Sequence, residues 1–329
     1  MDRNDCNAFR YEGGREGHYE SYFQRANHPS EPRAFWIRYT VFSPKGRPSD
    51  AVGELWAIYF DGLTGRITPV KTVLPYRDTL FARFTLDARI GSSTLDGSGL
   101  LGEASSLGHT LAWDLRYTSP EPPLLLLPER LYGASFPKAK ALVGSPMAVF
   151  SGSLQVDGVP VSIDGWTGSQ NHNWGEKHTD EYAWGQVAGF DDAPGTFLEL
   201  STARVRVGPV STPWMTPIVL RHEGQEHRLN AITTSIRAKA RYEFFRWEFA
   251  SQRGDLSVSG VIEAEPSAFV GLPYDNPPGG RKTCINSKLA SCRLTVTAGK
   301  RVTRLATKHR AAFEILTARD DHGVRVLAV

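Results

Sequence analysis

The chain has 329 residues, 40% hydrophobic and 22% charged, so it can bury a sizeable core and is not mainly disordered. Its formal net charge of +3 is too small to indicate a nucleic-acid partner. The sequence shows no apolar run of transmembrane length and no apolar signal region near its start. These absences predict a cytoplasmic protein without an integral membrane segment.

The first half of the chain shows strand patterns separated by turn residues. Alternating or aromatic-rich segments predict strands at 34–42, 53–60, 79–86 and 110–117. Asp157–Gly158 separates two further strand segments, 149–156 and 159–163. An Asp-Gly pair between strands is a strong signal for a β-hairpin.

The second half continues this pattern. Strands are predicted at 182–190, 196–207, 218–221, 242–249, 256–263 and 292–297. Helical patterns are short, at 137–143 and 308–315, and do not alternate with strands as in doubly wound folds. We therefore predict a mainly β protein with two consecutive antiparallel β-barrel domains, residues 1–170 and 171–329.

The segment 164–184 is the densest group of chemically capable residues. It contains aromatic, amide and imidazole side chains: Trp166, Gln170, Asn171, His172, Asn173, Trp174, His178, Tyr182 and Trp184. Such a set suits an apolar pocket with a few polar groups, or a buried amide–indole network that closes a barrel. A metal site would use His172, His178 and Asp180, but their spacing matches no recognised pattern. Because phosphate-binding loops are also absent from the sequence, we expect neither metal nor cofactor.

A second cluster lies in the N-terminal region and includes Glu20, Arg25, Arg38 and Glu54. On a strand over 53–60, Glu54 shares a face with Trp56. A carboxyl group among aromatic rings is either an acid with a raised pKa or part of an ion pair. Arg25 or Arg38 could supply the partner of such a pair.

The three cysteines cannot form a disulfide framework. Cys284 and Cys292 could pair in an oxidising compartment, whereas reduced thiols fit a cytoplasmic protein. The sequence leaves these two states open.

Several segments resemble the superfamily of carotenoid 1,2-hydratases, tocopherol cyclases and lipocalin-type Diels–Alderases. They are GHYESYFQRANHP at 17–29, RAFWIRYTVFSP at 33–44, GELWAIYFD at 53–61, QNHNWGEKH at 170–178 and YAWGQ at 182–186. The resemblance implies two lipocalin-like (calycin) barrels with a cavity for a hydrophobic small molecule. It also implies chemistry without redox cofactor or metal on apolar isoprenoid or polyketide chains.

In the carotenoid hydratases of this superfamily, a His-x-Trp pair and a downstream acidic residue are implicated in olefin protonation. His172 and Trp174 match the pair, and Glu199 is the nearest candidate for the acid. Phe197 stands where a tyrosine is expected. The resemblance therefore implies a hydratase or cyclase, and the alternatives are a non-catalytic lipid or isoprenoid carrier and a Diels–Alderase-like pericyclase of a polyketide.

These observations give a set of expected site residues. The catalytic candidates are His172, Glu54 and Glu199. The substrate-binding candidates are Trp174, Trp184, Tyr182, Trp56, Trp36, Asn171 and Asn173. In an extended segment, alternation turns Asn171 and Asn173 away from His172, so we expect the amides to hold backbone while His172 and Trp174 line the cavity.

Overall fold

The computed structural model describes residues 1–327 and consists mainly of antiparallel strands, which confirms the predicted fold class. Its α-helices are α1 (Arg3–Asn7) and α2 (Ile232–Arg237). None of the helices within residues 1–327 has the length and hydropathy needed to cross a membrane.

The first half of the chain forms twelve strands. Strands β1 to β12 are, in chain order, His18–Asn27, Arg33–Ser43, Val52–Asp61, Arg66–Pro75, Thr79–Phe81, Asp87–Ile90, Ser93–Asp96, Gly99–Ser106, His109–Thr118, Leu124–Leu125, Ala139–Val156 and Val159–Gly175. They form one antiparallel sheet in the order β4-β3-β2-β1-β12-β11-β9-β8-β7-β6-β5, with β10 beside β11.

This first sheet curls into a nearly closed barrel. Its edge strand β4 meets β8, where the Lys71 amide donates to Ser106 Oγ over 2.9 Å and the Ser105 amide donates to Thr72 Oγ1 over 3.3 Å. Apolar side chains from alternate positions of the strands fill the interior. The pairing of β1 with β12 puts the two ends of this half of the chain side by side in the middle of the sheet.

The second half forms the other strands. Strands β13 to β24 are Glu181–Ala188, Phe197–Arg204, Arg206–Val207, Val210–Ser211, Ile218–His222, Gln225–Arg228, Lys239–Glu243, Arg246–Arg253, Leu256–Glu263, Val270–Asp275, Arg281–Ala298 and Arg301–Thr317. Its main sheet has the order β18-β17-β14-β13-β24-β23-β21-β20-β19, with β22 beside β23. Strands β15 and β16 form a separate pair.

The two sheets pack against each other through their central strands. Phe23 of β1 meets Trp184 of β13 with ring centroids 5.9 Å apart. Beside this contact, Arg25 donates to Gln186 over 2.7 Å and Asn27 donates to the Lys288 carbonyl over 2.7 Å. The predicted boundary after residue 170 falls inside β12, and the division into two domains stays a prediction.

Turns and bends of the chain account for one confirmed prediction and two wrong predictions. Asp157 and Gly158 have φ of 52° and 80° and join β11 to β12, as predicted for this hairpin. The strand predicted at 242–249 is instead two strands, because the chain turns at Phe244–Phe245, where Phe245 has φ of 77°. The strand predicted at 79–86 ends at Phe81.

Both predicted helices are wrong. The segment 137–143 mostly belongs to β11, and 308–315 lies inside β24. Residues 310–317 are all buried, because this strand is covered on both faces. A strand buried on both faces loses the alternating pattern and cannot be told from a helix by periodicity.

The cysteines are unbridged and buried. Cys284 and Cys292 lie on the same strand, β23. Eight residues of extended chain separate their Cα atoms by about 26 Å, far beyond disulfide reach.

Candidate functional site

A cavity of about 270 Å³ lies between the two sheets, under the segment 126–142. Its wall is mostly apolar and aromatic. It includes seven of the residues expected from the sequence: Trp36, Asn171, His172, Asn173, Tyr182, Trp184 and Glu199. Glu54, Trp56 and Trp174 are not part of this wall.

Glu199 of β14 is the buried carboxyl group of this wall, and its side chain has no bonded cation within residues 1–327. Trp184 Nε1 donates to Glu199 Oε1 over 2.7 Å, and Gln186 Nε2 donates to Oε2 over 2.8 Å. Burial raises the pKa of Glu199 to about 7, although these two donors and the charge of Arg25 favour the ionised form. Near neutral pH this group can therefore exist as a neutral acid.

Gln186 fixes this carboxyl group and ties the two sheets together. Its Nε2 also donates to Asn171 Oδ1 over 2.8 Å, and its Oε1 accepts from Ser169 Oγ over 2.6 Å and from Arg25 Nε over 2.7 Å. Every polar atom of the Gln186 side chain thus has a partner. Such a satisfied network holds its members in one arrangement.

A second carboxyl group in the wall, Glu314 of β24, has a different environment. Its Oε1 accepts from Lys288 Nζ over 2.7 Å and from Asn286 Nδ2 over 3.0 Å. Lys288 is fully buried and lies 5.6 Å from the ring centroid of Trp184. Glu314 therefore has a cationic partner, whereas Glu199 has only neutral donors.

Glu54, the rival acid in the sequence interpretation, lies outside the cavity wall. Its carboxylate pairs with Lys71 Nζ over 2.9 Å and accepts from Trp56 Nε1 over 3.1 Å. The expected face shared with Trp56 is present, but the partner cation is Lys71 rather than Arg25 or Arg38.

His172 has both ring nitrogens engaged. Nδ1 lies 2.7 Å from the Cys6 carbonyl and Nε2 lies 2.9 Å from Glu20 Oε1. A carbonyl only accepts, so Nδ1 carries a proton and donates it. The imidazole is sandwiched between Tyr22 and Trp174, with ring centroids 4.3 Å and 4.6 Å away. These contacts hold the ring in one orientation.

Glu20, the partner of His172, is fully buried on β1. Its carboxylate also accepts from the amides of Arg10 and Tyr11 and from His18, each over 2.9 Å. Burial raises the pKa of Glu20, but the hydrogen bonds from His172 and His18 outweigh it and leave the pKa below its usual value. Four protein donors thus surround this buried carboxylate.

The side chains around His172 alternate as expected, but Asn171 and Asn173 belong to the cavity wall and Trp174 does not. Asn171 faces the second sheet, where it accepts from Gln186 Nε2 over 2.8 Å. Its Nδ2 donates to the Phe23 carbonyl over 3.4 Å, so it holds backbone as expected, but on the cavity side. Trp174 lies on the other face, against Tyr132 and under the Arg10 guanidinium, 4.7 Å from its ring. The reason is the register of β1 and β12, which turns Gln170, His172 and Trp174 towards the N-terminal segment.

Sequence reasoning placed Glu20 in the N-terminal cluster without giving it a site role, and it missed Gln186, Lys288 and Glu314. Glu20 lies in the quoted motif GHYESYFQRANHP, two residues from Tyr22, which pairs in register with His172. That pairing of β1 with β12 is the signal that could identify it. Lys288 and Glu314 meet only through the pairing of β23 with β24.

Comparisons with known sequences give distant relatives. No protein-family model matches the chain. Two uncharacterized proteins of Mycobacterium tuberculosis strains, MT0513 and Rv0493c, are each 25% identical to it over 228 residues. The match covers 67% of this chain and 66% of each relative, just under two thirds of their length.

Three solved structures share the fold. An AttH-like protein of Nitrosomonas europaea has a TM-score of 0.57 at 13% identity, over 94% of this chain and 93% of that chain. Kievitone hydratase of Nectria haematococca has a TM-score of 0.58 at 12% identity, over 97% and 95%. CghA, solved with Sch210972, has a TM-score of 0.55 at 13% identity, over 93% and 90%. The likeness therefore extends over both sheets.

Proposed function

We propose that the protein is a hydratase or cyclase that protonates an alkene of a hydrophobic, isoprenoid-like small molecule without redox cofactor or metal. The observation that carries this proposal is Glu199, a buried carboxyl group in an aromatic-lined cavity with a pKa raised to about 7. A general acid works best when its pKa is near the operating pH. The hydratase activity named for one structural neighbour supports the same reaction class.

The hydrogen bonds that Glu199 accepts leave its carboxyl proton free to be donated into the cavity. Both carboxyl oxygens accept N–H bonds, and within residues 1–327 no acceptor lies in hydrogen-bond contact with this carboxyl group. A proton on either oxygen therefore finds its acceptor in the cavity. An alkene bound there would take this proton.

The reaction then follows from charge balance. The alkene π electrons form a new C–H bond with the Glu199 proton, and the other alkene carbon becomes a carbocation. In a hydratase, water adds to this carbon and releases a proton that restores Glu199. In a cyclase, a second double bond attacks the cation and a proton lost from carbon restores the acid.

The cavity wall can stabilise the cation. Trp36 and Trp184 present aromatic rings, whose electron-rich faces attract positive charge. The Glu199 carboxylate left after proton transfer adds electrostatic attraction in a region shielded from water. Both ring nitrogens of His172 are engaged by the Cys6 carbonyl and Glu20, so we assign His172 a positioning role in this wall rather than proton transfer.

Isotope labelling tests the proposal. Apolar molecules that copurify with the protein are identified by mass spectrometry and incubated with fresh protein in D₂O. Protonation of an alkene places one non-exchangeable deuterium on carbon in the product. Conversion without deuterium would instead indicate a pericyclase, and recovery of the unchanged molecule would indicate a carrier.

A further inference from the structure

Arg38 of β2 is a buried cation with few protein partners. Its side chain lines the cavity, and the residue is 5% exposed. Nη2 donates to Ser21 Oγ over 2.7 Å, while Nε has no hydrogen-bond partner. Across residues 1–327, Arg38 forms no ion pair with a carboxylate. Burial opposes the positive charge, but the nearby Tyr274, Glu54 and Glu314 outweigh it and leave the pKa of Arg38 above its usual value. The guanidinium therefore stays charged while its buried Nε–H lacks an acceptor in the described chain, a costly state that a ligand acceptor would relieve.

The neighbouring carboxylates are committed elsewhere. Glu54 is paired with Lys71 over 2.9 Å, and Glu314 is paired with Lys288 over 2.7 Å. Glu199 is held by Trp184 and Gln186. None of these carboxylates is bonded to Arg38, so an anionic ligand can bind to it.

The surroundings of Arg38 suit a flat, negatively charged group. The guanidinium carbon lies 4.8 Å from the ring centroid of Tyr274 and 5.9 Å from that of Trp36. The hydroxyls of Tyr19 and Tyr182, also in the cavity wall, form no hydrogen bond within the described chain. Burial and the nearby Arg38 charge lower the pKa of His178 to about 3, so this imidazole adds no positive charge.

We propose that Arg38 binds a carboxylate, or a similarly flat oxyanion, of the molecule that fills the cavity. A planar guanidinium can donate two parallel hydrogen bonds to the two oxygens of such a group. This assignment rests on the proposed function and narrows its substrate class to apolar alkenes with an anionic end.

The sheet register relates Arg38 to Glu199. Arg38 pairs with Phe23, and Phe23 pairs with Asn171, so Arg38 and Asn171 lie two strands apart, on the order of 10 Å. Asn171 reaches Glu199 through Gln186. Arg38 and Glu199 both line the cavity, so one ligand can contact Arg38 with its anionic end and Glu199 with its alkene.

Lys140 is the competing cation in the same wall. Its Nζ donates to the Pro137 carbonyl over 3.0 Å, and burial lowers the pKa of its ammonium. The Lys140 ammonium already has an acceptor and burial disfavours its charge, so it is a weaker anion-binding group than the Arg38 guanidinium, whose Nε–H is free within residues 1–327. Lys140→Met therefore serves as the matched control.

Calorimetric titration with farnesoic acid and farnesol tests the assignment at pH 7.5. We expect the wild-type protein to bind the acid at least about tenfold more tightly than the alcohol. The reason is that the carboxylate can accept charge-assisted hydrogen bonds from Arg38, whereas the alcohol carries no charge. Arg38→Met should remove this preference while binding the alcohol as before. Lys140→Met and Glu199→Gln should both keep it.

Three outcomes would overturn the assignment. They are equal affinity of the wild-type protein for acid and alcohol, absence of acid binding, and loss of the preference in Lys140→Met rather than Arg38→Met. The wild-type comparison remains decisive even if Arg38→Met fails to fold. The titration measures anion binding by Arg38, and the deuterium test measures alkene protonation by Glu199. Failure of one proposal can therefore be told apart from failure of the other.

Discussion

Trp184 donates its indole N–H to Glu199 across neighbouring strands, over 2.7 Å. The contact connects a ring of the cavity wall with the proposed acid. It also stabilises the ionised form of Glu199, whereas burial stabilises the neutral form by more. The balance between these two effects places the pKa of Glu199 at about 7, in the range where a carboxyl group can give and regain a proton.

Glu199→Gln should lower turnover at least about 100-fold, because the amide keeps the shape of the side chain but cannot supply the proton. In the wild-type protein, turnover should fall tenfold per pH unit above about 7, as the acid ionises. The rate of deuterium incorporation measures both effects. Glu54→Gln is the control, since Glu54 lies outside the cavity wall, and a comparable loss there would contradict the assignment.

Trp184→Phe should shift the alkaline limb of the pH–rate profile to higher pH. Phenylalanine cannot donate to Glu199, so the ionised form loses a hydrogen bond and the pKa rises further. Trp36→Phe is a matched control, because Trp36 lines the same cavity and its indole N–H has no partner. An equal shift in both variants would mean that the indole–carboxyl bond does not set this pKa.

Glu199→Gln should also change how stability depends on pH. The native pKa of Glu199 is raised to about 7 from 4.5, so between these values the folded wild-type protein holds a proton that the unfolded chain releases. Its free energy of unfolding therefore falls as pH rises through this window, and the Gln variant lacks this loss. Urea unfolding at pH 5 and pH 8 should show a relative gain for Glu199→Gln at pH 8. A relative loss would contradict the raised pKa.

Lys288 and Glu314 should show strong energetic coupling. Removing one partner of a buried ion pair leaves an uncompensated charge and typically costs about 3–5 kcal/mol. Lys288→Met and Glu314→Gln should each approach this loss, while the double variant should be much less destabilised than their sum. Urea unfolding of the four proteins at pH 7 gives the coupling energy, and additive losses would show that the pair does not act as a unit.

Glu20→Gln should destabilise the protein by on the order of 3 kcal/mol, since it leaves the buried His172 without its anionic partner. The lowered native pKa of Glu20 means that the carboxylate stabilises the fold above its unfolded pKa and loses this effect as pH falls through the native value. The difference in free energy of unfolding should thus be larger at pH 6 than at pH 3. Glu12→Gln, an exposed carboxylate paired with Arg83, should change stability by less than about 0.5 kcal/mol.

The predictions that succeeded depend on local signals. The Asp157–Gly158 turn fixes its hairpin through two positive φ angles that these residues tolerate. Period-two alternation predicted strands such as β9 and β21 to within a residue or so. Glu199 was chosen through its position downstream of His172 in a family pattern, and its role as the acid stays a proposal.

The predictions that failed needed information about register. His172 and Glu20 are 152 residues apart, and only the pairing of β1 with β12 brings them together. The same register decides that Trp174 faces the N-terminal segment while Asn171 faces Gln186. A one-residue shift would exchange these two faces, so no local pattern could assign them.

The pairing of β1 with β12 also has a consequence for synthesis of the chain. Strands β1 to β4 can form hairpins as soon as they are made, but β1 stays unpaired on one side until residues 159–175 exist. Closing so long a loop is slow, and an exposed strand edge is a template for pairing with other chains. A nascent or truncated chain that ends before Val159 therefore presents β1, with Glu20 lacking its partner His172, as an aggregation-prone edge.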